Sequence, residues 1–105
     1  ETKPNSSQVT SAGIRELDRF AERLLLYPEA VIKIEGYIAS KNNSKENIKL
    51  SERRADIVKN YLINKGIPEI QFIVEGMGNQ NPRGSNDTWE GRKMNRRVEI
   101  YVIEQ

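Results

Sequence analysis

The sequence predicts an α+β domain: two helices packed on one face of a small mixed β-sheet. Three observations lead there. Two stretches carry apolar residues at helical spacing, and other stretches alternate apolar and polar residues with period two. The order strand, long helix, strand then calls for a right-handed crossover between two parallel strands. At 105 residues the chain has the length of one domain, 1–105, with no internal repeat and no boundary.

Residues 1–9 are polar and read as irregular, with Thr10 as N-cap of a first helix. Ile14, Leu17, Phe20, Ala21 and Leu24 form its apolar stripe, and Pro28 stops it by forcing Tyr27 toward extended geometry. From Val31 to Ile38 the alternation puts Ile32, Ile34 and Ile38 on one face and Lys33, Glu35 and Tyr37 on the other. A polar loop at 39–44 leads to Ser44, the cap of a long helix running from about Lys45 to Lys65. Gly66 stops that helix and Pro68 follows.

Gln71 to Val74 reads as the second strand, with Phe72 and Val74 inward. From Gly76 to Met94 the chain is rich in Gly, Asn, Pro and Asp. That composition predicts a long surface loop with a short helical turn near Thr88 to Met94. The last strand, Arg97 to Ile103, points Val98, Ile100 and Val102 inward. Lys33, Glu35, Glu75, Arg97 and Glu99 are then expected on the outer sheet face as cross-strand charge pairs.

Composition narrows the chemistry. With no cysteine and no histidine, disulfides, thiolate nucleophiles, Ser-His catalysis and most zinc sites are excluded. No metal and no cofactor is implied. Asp87 and Glu90 are a loop pair with nothing nearby to tune them, and Gly76-Met77-Gly78 is too short for a phosphate loop, so an enzyme is not expected. Charged residues make up 30% of the chain but the net charge is only +2, too weak by itself to imply a nucleic acid or a membrane partner. No apolar run is long enough for a membrane span. The chain opens Glu1-Thr2-Lys3-Pro4, without an initiating Met or signal peptide, and reads as a mature segment or an excised domain.

Two places remain for a binding site. On the long helix, Leu50, Ile57 and Tyr61 flank one side of a broad apolar sector and Ser51, Ala55, Val58 and Leu62 the other. Arg54 projects between them, whereas Arg53 points outward with Lys49 and Asn60. An arginine among core positions must be paired or meet a ligand. An internal salt bridge or a snorkelling side chain would satisfy it equally. The second place is Glu90-Gly91-Arg92-Lys93-Met94-Asn95-Arg96-Arg97. It is either a solvated loop held down by one arginine or a bidentate site for carboxylate or phosphate. Without interleaved aromatics it does not read as a nucleic-acid site. The lone Trp89 is expected to pin the loop onto the domain.

Several of these segments, in this order, resemble OmpA-like C-terminal domains. They are Ile34-Glu35-Gly36, Asn47 to Ala55, Gly66-Ile67, Gly76-Met77-Gly78, Pro82, Asn86, Glu90-Gly91-Arg92 and the ending Asn95-Arg96-Arg97-Val98-Glu99-Ile100. The resemblance covers the chain from about Thr10 to Ile103 and implies a βαβαβ arrangement whose first strand would precede Glu1. It implies a periplasmic or cell-envelope location and non-covalent binding of peptidoglycan through the diaminopimelate of the stem peptide. By the same resemblance, Arg54 matches the arginine that clamps the diaminopimelate carboxylate. Asn47 matches a pocket-lining asparagine, and Arg96 or Arg97 helps hold the loops beside the pocket.

One stretch departs from the pattern. Where the family reads Gly-His-Thr-Asp, this chain has Gly36-Tyr37-Ile38-Ala39. Ala39 offers no side-chain acceptor and Ile38 lacks the Thr hydroxyl. Removing a charged partner from a hydrogen-bonded site costs several kcal/mol, enough to erase micromolar binding. The resemblance therefore implies one of two things. Either this is a peptidoglycan module with altered chemistry, in which ordinary diaminopimelate binding is weak or lost, or it is a degenerate scaffold that contacts an envelope protein partner or itself.

Overall fold

The computed structural model describes residues 11–103. The expected cap at Thr10 and the irregular segment 1–9 lie outside them. Helix α1 spans Ser11–Leu24, strand β1 Val31–Tyr37, helix α2 Lys45–Asn64, strand β2 Phe72–Gly78, helix α3 Trp89–Asn95 and strand β3 Val98–Ile103. The strands form one sheet in the order β2-β1-β3, with β1 parallel to β2 and antiparallel to β3. The mixed sheet, the long helix and the parallel crossover pair match the sequence expectation, and α3 gives the expected short turn a full helical assignment.

Alternation sets the core. Ile32, Ile34, Val98 and Ile100 meet Leu17, Phe20, Ala21 and Leu24 of α1 and Ala55, Val58 and Leu62 of α2. Close approach of α2 depends on two glycines. A Cβ on Gly36 would overlap the Ser51 carbonyl, and one on Gly76 would crowd the Ile48 carbonyl and Glu52. Ser51 lies among the apolar positions because its hydroxyl donates to the Ile48 carbonyl at 2.7 Å and accepts from the Gly78 amide at 2.9 Å. It ties the helix to the end of β2. Ser44 caps α2 by accepting the Asn47 amide at 3.2 Å, and Gly66, at φ +107°, turns the chain out of the helix.

Five expectations change. Strand β2 begins at Phe72 and continues through Gly78, so the loop starts only at Asn79. Gln71 instead sits in a 3₁₀ turn, Glu69–Gln71, and its amide donates to the Tyr27 and Ala30 carbonyls. Ile57 is exposed, because the buried residues of α2 are Ser51, Ala55, Val58 and Leu62; Tyr61 is half-buried against the core with its hydroxyl on Asp18. Trp89 is 61% exposed under Lys93 and does not pin the loop.

The largest change concerns the supposed outer face of the sheet. Glu35, Tyr37, Arg97 and Glu99 are buried, because the segment after β2 folds back over them. Lys33 stays half-exposed and bridges Glu35 at 3.2 Å and, across strands, Glu75 at 3.1 Å. Alternation identifies which residues share a face but carries no information on whether a distant loop will cover it.

Candidate functional site

The site lies where β1 ends against the first half of α2. Tyr37 closes β1, and its amide donates to the Arg97 carbonyl at 2.9 Å. Its own carbonyl faces α2 and receives Arg54 Nη1 at 3.5 Å, the long limit of a hydrogen bond. That is the one protein hydrogen bond of the Arg54 guanidinium among the described residues, and no carboxylate there forms an ion pair with it. Arg96 immediately precedes the Arg97 carbonyl that holds Tyr37, which brings a second arginine beside the first. Burial first, and then the Arg96 charge, lower the proton affinity of the Arg54 guanidinium. Two half-buried cations without an anionic partner among the described residues have guanidinium donors to offer a carboxylate or another anion.

The walls are polar and tightly tied. Asn47, from the first turn of α2, donates its amide to Ser40 Oγ at 3.2 Å, the Asn42 carbonyl at 3.2 Å and Asn42 Oδ1 at 2.8 Å, so its nitrogen shapes the 39–44 loop. The Ser40 carbonyl accepts from Asn79 at 3.1 Å and from Asn86 at 2.9 Å. Asn43 accepts the Asn79 amide at 3.0 Å, and Lys41 pairs with Asp87. The β1 loop, the end of β2 and the segment before α3 thus form one rim.

Tyr37, Ile38 and Ala39 play three different parts. The Tyr37 ring turns to the opposite side of the sheet, 3.7 Å below the Arg97 guanidinium, with its hydroxyl donating to Glu35 at 2.7 Å. Burial, then the Glu35 contact, push its pKa up to about 12. Only its carbonyl reaches the site. Ile38 is buried, with its amide on the Gly78 carbonyl at 2.9 Å. Ala39 is half-exposed in the loop between the Tyr37 carbonyl and Ser40 and presents a methyl group.

Arg97 differs from Arg54 in every respect but residue type. Its Nε donates to Glu99 at 2.6 Å, Nη2 to the Asn81 carbonyl at 2.8 Å and Nη1 to the Asn95 carbonyl at 3.4 Å. Each guanidinium nitrogen has a protein partner. Asn81 sits at φ +48°, a left-handed conformation that asparagine tolerates, with its carbonyl held by Arg97. Glu99 also accepts from Arg83 at 3.0 Å and from Tyr101.

Sequence reasoning passed over Asn95, which fastens this segment in the role expected of Trp89. Its Oδ1 accepts the Arg83 and Gly84 amides at 2.6 and 3.0 Å, and its amide donates to the Gly84 carbonyl at 2.9 Å and Asn86 Oδ1 at 2.8 Å. The one available signal was a short amide side chain between a helix and a strand, where such groups bond to backbone.

A sequence model of the OmpA family matches residues 3–96. The chain is 43% identical over 86 residues to the peptidoglycan-binding protein ArfA of Mycobacterium tuberculosis, covering 82% of this chain and 26% of that protein. It is 40% identical over 99 residues to outer membrane protein A of Bordetella avium, covering 94% of this chain and 51% of that protein. The chain spans between about a quarter and a half of the length of these curated relatives.

Among solved structures, the C-terminal domain of Helicobacter pylori MotB is 27% identical with a TM-score of 0.80, over 95% of this chain and 78% of that one. The peptidoglycan-associated lipoprotein from Burkholderia pseudomallei has a TM-score of 0.85 at 22% identity, over 97% and 90%, a likeness of fold alone. One of these relatives is an outer membrane protein by name and the Helicobacter pylori MotB structures include its periplasmic domain, and the chain is a domain of the bacterial cell envelope. It belongs to the OmpA family, as an OmpA-like C-terminal domain.

Proposed function

We propose that the chain, as a single domain over 1–105, is a non-enzymatic module that holds peptidoglycan non-covalently by a stem-peptide carboxylate at Arg54 and Arg96. Asn47 and Arg97 support the loops around them. One observation carries this reading: Arg54 is half-buried at the end of β1, has only a 3.5 Å contact to a carbonyl, and has no carboxylate partner among the described residues. A structural arginine in that place would be paired. The likeness to a peptidoglycan-binding protein agrees with it.

Ala39 limits the strength of the interaction. With no acid at the mouth, free diaminopimelate binds much more weakly than it does to family members that keep the Asp. The same absence favours a second reading, a scaffold for an envelope protein partner or for self-association. Co-sedimentation with purified sacculi separates the two. Retention of wild type together with its loss in Arg54→Ala supports the first, whereas no retention of wild type, with a stable oligomer in solution, supports the second.

A further inference from the structure

The charges around the site bear on ligands that differ by a single amine; the inference drawn from them rests on the wall-binding reading above. Arg54 and Arg96 contribute two positive charges, and position 39 contributes none of the opposite sign. Asp87, on the rim, is engaged by Lys41. Three carbonyls around the site already accept protein donors. The Tyr37 carbonyl takes Arg54, the Ser40 carbonyl takes Asn79 and Asn86, and the Asn86 carbonyl takes Arg92 at 3.0 Å. An unmodified diaminopimelate end carries its carboxylate and its ammonium on one carbon. Seating the carboxylate against the guanidiniums brings the ammonium close to two like charges, with no carboxylate at position 39 to receive it.

We propose that the Arg54–Arg96 site selects diaminopimelate carboxylates whose neighbouring amine is acylated, the form present at a peptide cross-link, over those whose amine is free. Acylation removes the positive charge, leaves the carboxylate intact and replaces three hydrogen-bond donors by one amide N–H. The site then reads cross-linked wall in preference to uncross-linked stems. An aspartate at position 39 would invert that preference by supplying the missing anion.

The test uses two stem tripeptides ending in meso-diaminopimelate with its main-chain carboxyl amidated, identical except that the side-chain amine is free in one and acetylated in the other. Each is titrated into the full chain at low salt. The acetylated peptide is expected to bind about tenfold more tightly, the size of one unfavourable charge contact at a half-exposed site. Ala39→Asp is expected to reverse the order. Arg96→Gln, which removes one of the repelling charges, is expected to narrow the ratio and serves if Ala39→Asp folds poorly. Equal affinities, or tighter binding of the free amine by wild type, overturn the selectivity while leaving the wall-binding reading intact, provided Arg54→Ala abolishes binding of both peptides. If wild type binds neither peptide and sacculi do not retain it, the functional reading itself fails and the selectivity with it.

Discussion

Arg97 and Arg54 both touch Tyr37, and they do so from opposite faces of the sheet. Arg97 stacks on the Tyr37 ring and has a protein partner at each guanidinium nitrogen, including the buried Glu99. Arg54 meets only the Tyr37 carbonyl, at the limit of hydrogen-bond length, with Arg96 as its charged neighbour. Burial does not distinguish their roles, since the more deeply buried of the two is the better satisfied. Partner count does. A guanidinium whose donors are all engaged stabilises the fold, and one held in place but left unpaired is available to an anion from outside.

The largest expected effect breaks the satisfied member of the pair. Arg97→Ala should cost about 3–5 kcal/mol of folding stability in urea titrations, because Glu99 loses its inner counter-charge while the Asn81 and Asn95 carbonyls lose a donor. Arg54→Ala should do the opposite. Stability should change by less than about 1 kcal/mol, since no ion pair is lost, whereas retention on sacculi should weaken by about a hundredfold or more. A large stability loss in Arg54→Ala would show that this arginine is structural after all, and the contrast would collapse.

How far the sequence exposed this contrast can be judged residue by residue. Helical spacing alone isolated Arg54 from Arg53, because an arginine between Leu50 and Val58 on an apolar sector violates the pattern. Alternation put Arg97 and Glu99 on the same face, which is correct, and left them in water, which is not. Their burial depends on a segment more than ten residues away folding back through Asn95, and such long-range covering has no periodic signature. Ala39 was legible only through family resemblance. No periodicity marks an absent carboxylate, and its meaning depends on how the surrounding carbonyls are already used. Trp89 illustrates the converse: a large aromatic suggests an anchor, yet a smaller asparagine with four hydrogen bonds does that work.

Acid titration sharpens the comparison with a smaller effect. Burial raises the Glu99 pKa, but hydrogen bonds from Tyr101 and Arg97 and the charges of Arg97 and Arg83 outweigh it, and the net direction is downward. A carboxyl whose folded pKa lies below its unfolded value adds stability above the unfolded value, and that stability is lost as the pH falls through the folded one. Stability should therefore decline as the pH drops below about 4. Glu99→Gln should flatten that decline. Arg54→Ala should leave its slope unchanged, because no carboxyl among the described residues pairs with Arg54. The measurement is the denaturation midpoint as a function of pH for the three proteins.

The smallest effect concerns the rim. Lys41 and Asp87 are paired at the mouth of the site, but both side chains are largely exposed, and such pairs add little to stability. Asp87→Asn should leave the melting temperature unchanged. It frees a lysine beside a site already rich in positive charge, so a carboxylate ligand should bind slightly more tightly, by about twofold at low salt, with the gain fading at physiological ionic strength. A larger or salt-independent gain would mean that Lys41 contacts the ligand directly. The receptor would then comprise three cations, and its contrast with the fully paired Arg97 would extend to the loop after β1. No change at any ionic strength would confine the ligand to the half-buried pair on α2 and before β3, as proposed.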